Sequence, residues 1–139
     1  MCRLGKCIRW FGRARNMKFR PLTAWEMGVL SKLLEVDTVL YENIREQLKN
    51  IYASTIGQWG SFYISSVETG RMDTKGGGSL PYIGIYFDED QVPILIAVLV
   101  DGQDRLFMVE VTRLDGEPIR GAIDPQKIVL RRDVPGPIF

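Results

Sequence analysis

Apolar and polar positions change rhythm once along the chain, from a helical spacing to strict alternation. In "LTAWEMG" Thr23 can accept from the amide of Glu26 while Glu26 reaches back, and this capping box predicts a helix from Ala24 to about Glu35. Its apolar side carries Met27, Leu30, Leu33 and Leu34. A second helix is expected after Asp37 or Thr38, with Leu40, Ile44, Leu48 and Ile51 on one stripe and Glu42, Arg45, Glu46 and Lys49 on the other. The two are expected to pack as an antiparallel hairpin. Near Ile51 the β-branched and aromatic "IYASTIG" gives way to strand.

From there the period is two. "SFYISSVE" alternates as a half-buried strand, and "PYIGIYF", "VPILIAVLV" and "RLFMVEVTRL" follow, separated by the acidic turns "DEDQ" and "DGQD". A meander is expected from the last three. The unbroken apolar run at residues 94–100 predicts a central strand, covered on both faces or on one face by the helix pair. "TKGGGSLP" reads as a flexible loop. Beyond Gly116 four prolines leave one short strand, residues 127–131, in a tail laid on the domain, and "VPGPIF" ends it. The expected architecture is therefore α+β: an N-terminal helix pair on a mainly antiparallel meander sheet of four to five strands. It divides into an arm at residues 1–19, a core domain at 20–119 and a tail at 120–139.

Length and composition agree with one ordinary core: 139 residues, 45% hydrophobic and 25% charged. The charge changes the picture. A net charge of +1 conceals seven Lys or Arg and no acid at positions 1–20, so positions 21–139 hold 11 bases against 17 acids and a net −6. An acidic body favours basic partners, and a cationic arm favours nucleic acid or anionic membrane. Cys2 and Cys7, the only cysteines, lie in the arm, which points to a reducing, cytoplasmic location. The longest apolar stretch has 9 residues, about half of the roughly 20 that span a bilayer, and the dispersed charges of the arm do not form an export signal. Met17, shortly before the capping box, is a second candidate start.

The chain has no histidine, which removes Ser-His and Cys-His nucleophile activation and the commonest metal ligand. Two cysteines alone cannot close a zinc site. "TKGGGS" lacks the spacing of a phosphate loop. Asp88, Glu89, Asp90, Asp101 and Asp104 suit the backbone of tight turns better than a calcium loop or a catalytic pair, and the two turns lie at opposite ends of one strand. A carboxylate-based hydrolase or transferase ranks last. No enzyme activity, metal or cofactor is expected. Trp59, Phe62, Tyr63, Tyr82 and Tyr86 crowd the early strands, and exposed aromatics beside acids make interface anchors. The candidate partner-binding residues are Trp59, Tyr63, Tyr82, Asp88, Glu89, Asp90, Asp101 and Asp104.

Two stretches, "RPLTAWEMGVLSKLL" and "VPILIAVLVDGQDRLFMVEVTRLDGEPI", resemble a family of small bacterial domains of unknown function. The family opens on an Arg-Pro-Leu-Thr helix start and carries V-D-x4-L-x3-E/D and a D-G-x-P turn. Val100, Asp101, Leu106, Glu110, Asp115, Gly116 and Pro118 match that pattern, and the resemblance covers residues 20–119. It implies a compact α+β domain of a kind often seen among proteins thought to be immunity partners of bacterial toxins, and brings no catalytic residues. The expectation is a non-catalytic acidic binding protein that neutralises a toxin, a nuclease being the natural case, by covering its basic cleft. The alternative is a nucleic-acid or anionic-membrane adaptor working through the arm, where Leu4, Cys7, Ile8 and Phe11 share one helical face.

Overall fold

A computed structural model describes residues 18–66 and 76–133. The basic arm with its two cysteines, the first part of "TKGGGS" and the closing "VPGPIF" lie outside the described residues. The rest is α+β, with one large antiparallel sheet and two short helices.

Strand β1 is Arg20–Pro21, and helix α1 (Ala24–Leu33) follows at once. The capping box forms as the sequence predicts: Thr23 Oγ1 accepts from the Glu26 amide at 3.1 Å, and Glu26 Oε1 accepts from the Thr23 amide at 2.8 Å. Burial of Glu26 alone would raise its pKa. The Arg20 guanidinium and the Thr23 amide outweigh that and lower it. Helix α2 (Val39–Arg45) is capped by Thr38, whose hydroxyl accepts from the Tyr41 amide. It tightens into a 3-10 turn, Glu46–Asn50, and then enters β2 (Ile51–Thr55). Gln47 ties this turn to the sheet, accepting from the Leu106 amide and donating to the Asp104 carbonyl.

The helix pair is thus shorter than expected and is not a hairpin standing by itself. α1 lies on β5, on β6 and on a 3-10 turn, Pro125–Lys127. Its Gly28 admits Pro125 so closely that an added Cβ would sit 3.3 Å from the ring. Arg45 joins α2 to the end of α1 by donating to the carbonyls of Leu34 and Val36.

The remaining strands are β3 (Phe62–Ser66), β4 (Gly78–Ser79), β5 (Tyr82–Phe87), β6 (Pro93–Val100), β7 (Leu106–Arg113) and β8 (Val129–Arg132). Their order is β1-β2-β3-β7-β6-β5-β8, with β4 paired to the far end of β6. The β5–β6–β7 meander and the central place of β6 follow the sequence pattern. Among the described residues the count is eight strands, which corrects the expected four to five. β1 and β4 are too short to show alternation, and pairing to a neighbour rather than local periodicity makes them strands, while β8 overlaps the short strand expected at residues 127–131.

Register assigns the two faces. Ile94, Ile96, Val98 and Val100 of β6 join Val109, Val111, Phe62, Ile64 and Ala53 under the helices, all buried. Gly84 of β5 belongs to this face, because a Cβ there would meet Leu33 and Ile128 at 2.7 Å. Ile123 and Ile128 complete the core, so the segment after Ile119 contributes two buried side chains and a strand. Among the described residues no helix covers the opposite face.

Candidate partner-binding face

Antiparallel pairing gathers the 56–61 loop, the 88–92 turn and residues 114–124 at one end of the sheet. Trp25 packs between two of them: its Nε1 donates to the Ile123 carbonyl at 2.8 Å, and its ring lies 3.0 Å from where a Cβ on Gly60 would stand. Gly60 has φ +99, a conformation that strains other residues.

Arg113 fastens this end together. It is buried at the end of β7, and all five of its guanidinium N–H groups find carboxylate oxygen. Nη1 donates to Asp88 Oδ2 at 2.7 Å and Asp90 Oδ1 at 2.8 Å, Nη2 to Asp90 Oδ2 and Asp115 Oδ2, and Nε to Asp115 Oδ1 at 2.8 Å. Asp88 is equally committed. Besides Arg113 it accepts from the amides of Arg120 at 2.8 Å, Glu89 at 2.8 Å and Gly121 at 2.9 Å. The Arg120 amide leads in driving its pKa far below the carboxylate range. Arg113 lowers the Asp90 pKa, and with the Glu117 amide it holds Asp115 at about 2. In return these carboxylates, Asp115 foremost, raise the Arg113 pKa.

This clasp pins the loop after β7 to the β5–β6 turn. Asp88, Asp90 and Asp115 converge on a guanidinium, so the centre of the cluster already holds a cation. Among the described residues no group of three or more acidic or cysteine side chains is placed to hold a metal ion.

Above the clasp, the uncovered face is apolar. Phe87 pairs with Pro93, whose carbonyl accepts from the Leu114 amide, so Phe87, Pro93 and Leu114 form a row across three neighbouring chains. Behind it alternation places Val129, Ile85, Leu95 and Thr112 in a second row. Phe87, Leu114 and Val129 are 55%, 63% and 62% exposed. Toward the other end the same face closes, with Tyr63 and Leu99 buried.

The structure separates the eight residues singled out from sequence. Trp59, Glu89 and Asp90 lie at the clasp end, Trp59 half exposed and Glu89 exposed. Asp88 is there too, but as an internal strut rather than a contact group. Asp101 and Asp104 sit at the opposite end of β6, about 25 Å away for eight residues of strand. Asp101 is buried, accepting from the amides of Gln103 and Arg105 and from Arg105 Nε, whereas Asp104 is exposed with φ 58. Tyr63 is buried, which pushes its hydroxyl up to about 12. Tyr82 packs edge-on against Tyr41, ring centres 6.1 Å apart, on the helix side. Asp88, Asp101 and Tyr63 are thus buried, and Tyr82 is half-buried against Tyr41, so the burial weighs against these four as contact groups.

Reasoning from sequence missed Phe87, Leu114, Val129 and Arg113. The alternation of "PYIGIYF" did carry a signal, since it puts Ile83, Ile85 and Phe87 on one face whichever way the strand is turned. Only Asp115 lies close in sequence to Arg113, and its other partners, Asp88 and Asp90, are 25 and 23 residues away. Among the described residues no helix is long and apolar enough to cross a membrane.

Residues 19–123 match a family described as a domain of unknown function (DUF6984), and the chain belongs to that family. No curated protein and no solved structure matches the chain.

Proposed function

We propose that this is a non-catalytic binding protein that receives a basic protein partner on the exposed end of the uncovered sheet face. One observation carries the reading. Among the described residues, four of the five exposed large apolar side chains, Trp59, Phe87, Leu114 and Val129, fall at the sheet end whose 88–92 and 113–124 segments hold six acids against two arginines. Apolar anchors with an acidic rim suit a partner whose own apolar contacts are surrounded by Lys and Arg. Glu89, Glu117 and Asp124 are exposed acids of that rim outside the Arg113 clasp, and the clasp beneath holds the turns that bear Glu89 and Glu117 in place.

The resemblance to domains found among immunity proteins suggests the form this takes: capture of a toxin, a nuclease in the simplest case, by occlusion of its cationic cleft. Such a role needs no catalytic group, only a preorganised surface and fast, electrostatically assisted association.

The test is co-expression with the product of the adjacent gene, followed by calorimetry on the purified pair. Phe87→Ser with Leu114→Ser should weaken binding by at least about tenfold, since burying either side chain is worth about 1.5–3 kcal/mol. Glu89→Lys with Glu117→Lys should slow association and remove most of its salt dependence. Unchanged affinity in both double variants would overturn the assignment.

A further inference from the structure

The outer edge of β8 carries the opposite charge and a hydrogen-bonding row that no described strand occupies. Antiparallel neighbours alternate between pairs that exchange backbone bonds and pairs that do not. The Asp133 amide donates to the Pro81 carbonyl at 2.7 Å, which fixes the phase. Counting back along the register, Arg131 with Ile83 and Val129 with Ile85 face β5. Leu130 and Arg132 therefore turn their N–H and C=O groups outward, away from the sheet. The other edge is different: β1 has two residues, one of them Pro21, and offers no comparable row.

Lys127, Arg131 and Arg132 are exposed along this edge, and none is ion-paired with a described residue. Asp133 is the single acid between Pro125 and Asp133. Arg131 stands on the uncovered face opposite Ile83, and Arg132 on the helix side opposite Tyr82. A strand added here would meet a cation on each of its faces.

We infer that β8 is a docking edge for an acidic segment in extended conformation, which adds a ninth strand by bonding to the Leu130 and Arg132 backbone and places carboxylates against Arg131 and Arg132. A second copy of this chain fits less well. Two antiparallel β8 strands centred on their outward groups would set Arg131 directly opposite its counterpart, and like charges so placed are destabilising.

The experiment titrates the labelled full chain with a blocked peptide of about eight residues repeating Glu-Glu-Val-Val, which puts carboxylates on both faces of an added strand and has a length that covers an ordinary strand. Expected are saturable shifts at the Leu130 and Arg132 amides that weaken with added salt. Affinity should fall about tenfold in Arg131→Glu/Arg132→Glu, where two cross-strand attractions become repulsions. Arg132→Pro, which deletes an outward N–H and leaves the ladder to β5 whole, should bind several-fold more weakly than Arg132→Ala. The inference is overturned by an absence of shifts at those amides, or by equal binding of the lysine-for-glutamate peptide. It is also overturned by a concentration-dependent dimer that Arg132→Pro dissolves in a protein indifferent to the peptide, which would assign the edge to a second copy.

Discussion

Replacing Gly84 with alanine adds one methyl group at the point where helix, turn and sheet meet. Its Cβ would lie 2.7 Å from Leu33 Cδ2 and 2.7 Å from Ile128 Cγ2, both on buried side chains. Neither has solvent to move into. Overpacking of this kind costs about 1–3 kcal/mol, while exchanging glycine for alanine in a strand returns about 0.5–1 kcal/mol of backbone entropy. The net expectation is a destabilisation of about 0.5–2 kcal/mol, or a melting temperature lower by roughly 2–8 °C for a domain of this size. Urea unfolding followed by tryptophan fluorescence would measure it. The double variant with Leu33→Ala supplies the mechanism. Alone, Leu33→Ala should cost about 2–5 kcal/mol for the cavity it leaves. Because the new methyl occupies part of that cavity, the double variant should be more stable than the sum of the singles by about 1 kcal/mol. Strict additivity, or a Gly84→Ala protein as stable as wild type, would refute the placement of α1 and the Pro125–Lys127 turn on β5. The outcome bears on function, since Ile128 leads directly into β8.

Acid should release the clasp. The folded-state pKa values of Asp88, Asp90, Asp115 and Glu26 are depressed, so their stabilisation is complete above the unfolded carboxylate range near pH 4 and is lost as pH falls toward 2 and below. The urea midpoint should drop steeply over that interval, and a midpoint flat from pH 5 to about 2 would contradict the linkage. Arg113→Lys should lower the melting temperature and speed amide exchange at Arg120 and Gly121, because an ammonium offers three donors where five are used; native exchange rates there would count against the clasp. Tyr41→Phe removes the hydroxyl that accepts from the Tyr82 amide at 3.0 Å, and leaving that buried-side donor unpaired should cost about 1–3 kcal/mol in urea unfolding, with no loss if water replaces it.

The sequence disclosed whatever is decided within a few residues. Thr23 with Glu26, and Thr38 before α2, are local signals, and so are the turn acids whose carboxylates accept from amides one to four positions on, as Asp88 does from Glu89 and Asp101 from Gln103 and Arg105. The meander was legible because the period-two pattern of β5 and β7 and the unbroken apolar run of β6 extend over six to eight residues. β1 and β4 were not, since two residues show no alternation and become strands only by pairing, and the short strand expected at residues 127–131 overlaps β8 without anything local to place it beside β5. The candidate site was half legible for the same reason. A carboxylate in a turn can be recognised in sequence, but whether it faces solvent or a buried arginine depends on a partner far along the chain.

That division alters what the net charge of positions 21–139 means. Glu26 is paired with Arg20, Asp101 with Arg105, and three aspartates share Arg113, so much of the acidity is spent inside the fold. What a partner meets is a rim led by Glu89 and Glu117 beside exposed Phe87 and Leu114, and, across β5, an edge bearing Arg131 and Arg132. A uniformly basic surface would be drawn to the rim and repelled by the edge. A surface that is basic over the apolar rows and acidic alongside β8 would be attracted by both, and long-range forces would orient it before any apolar contact formed. On the proposed reading the partner is better sought by its charge pattern than by its total charge, and reversing Arg131 and Arg132 should let uniformly basic proteins bind that the wild-type surface turns away.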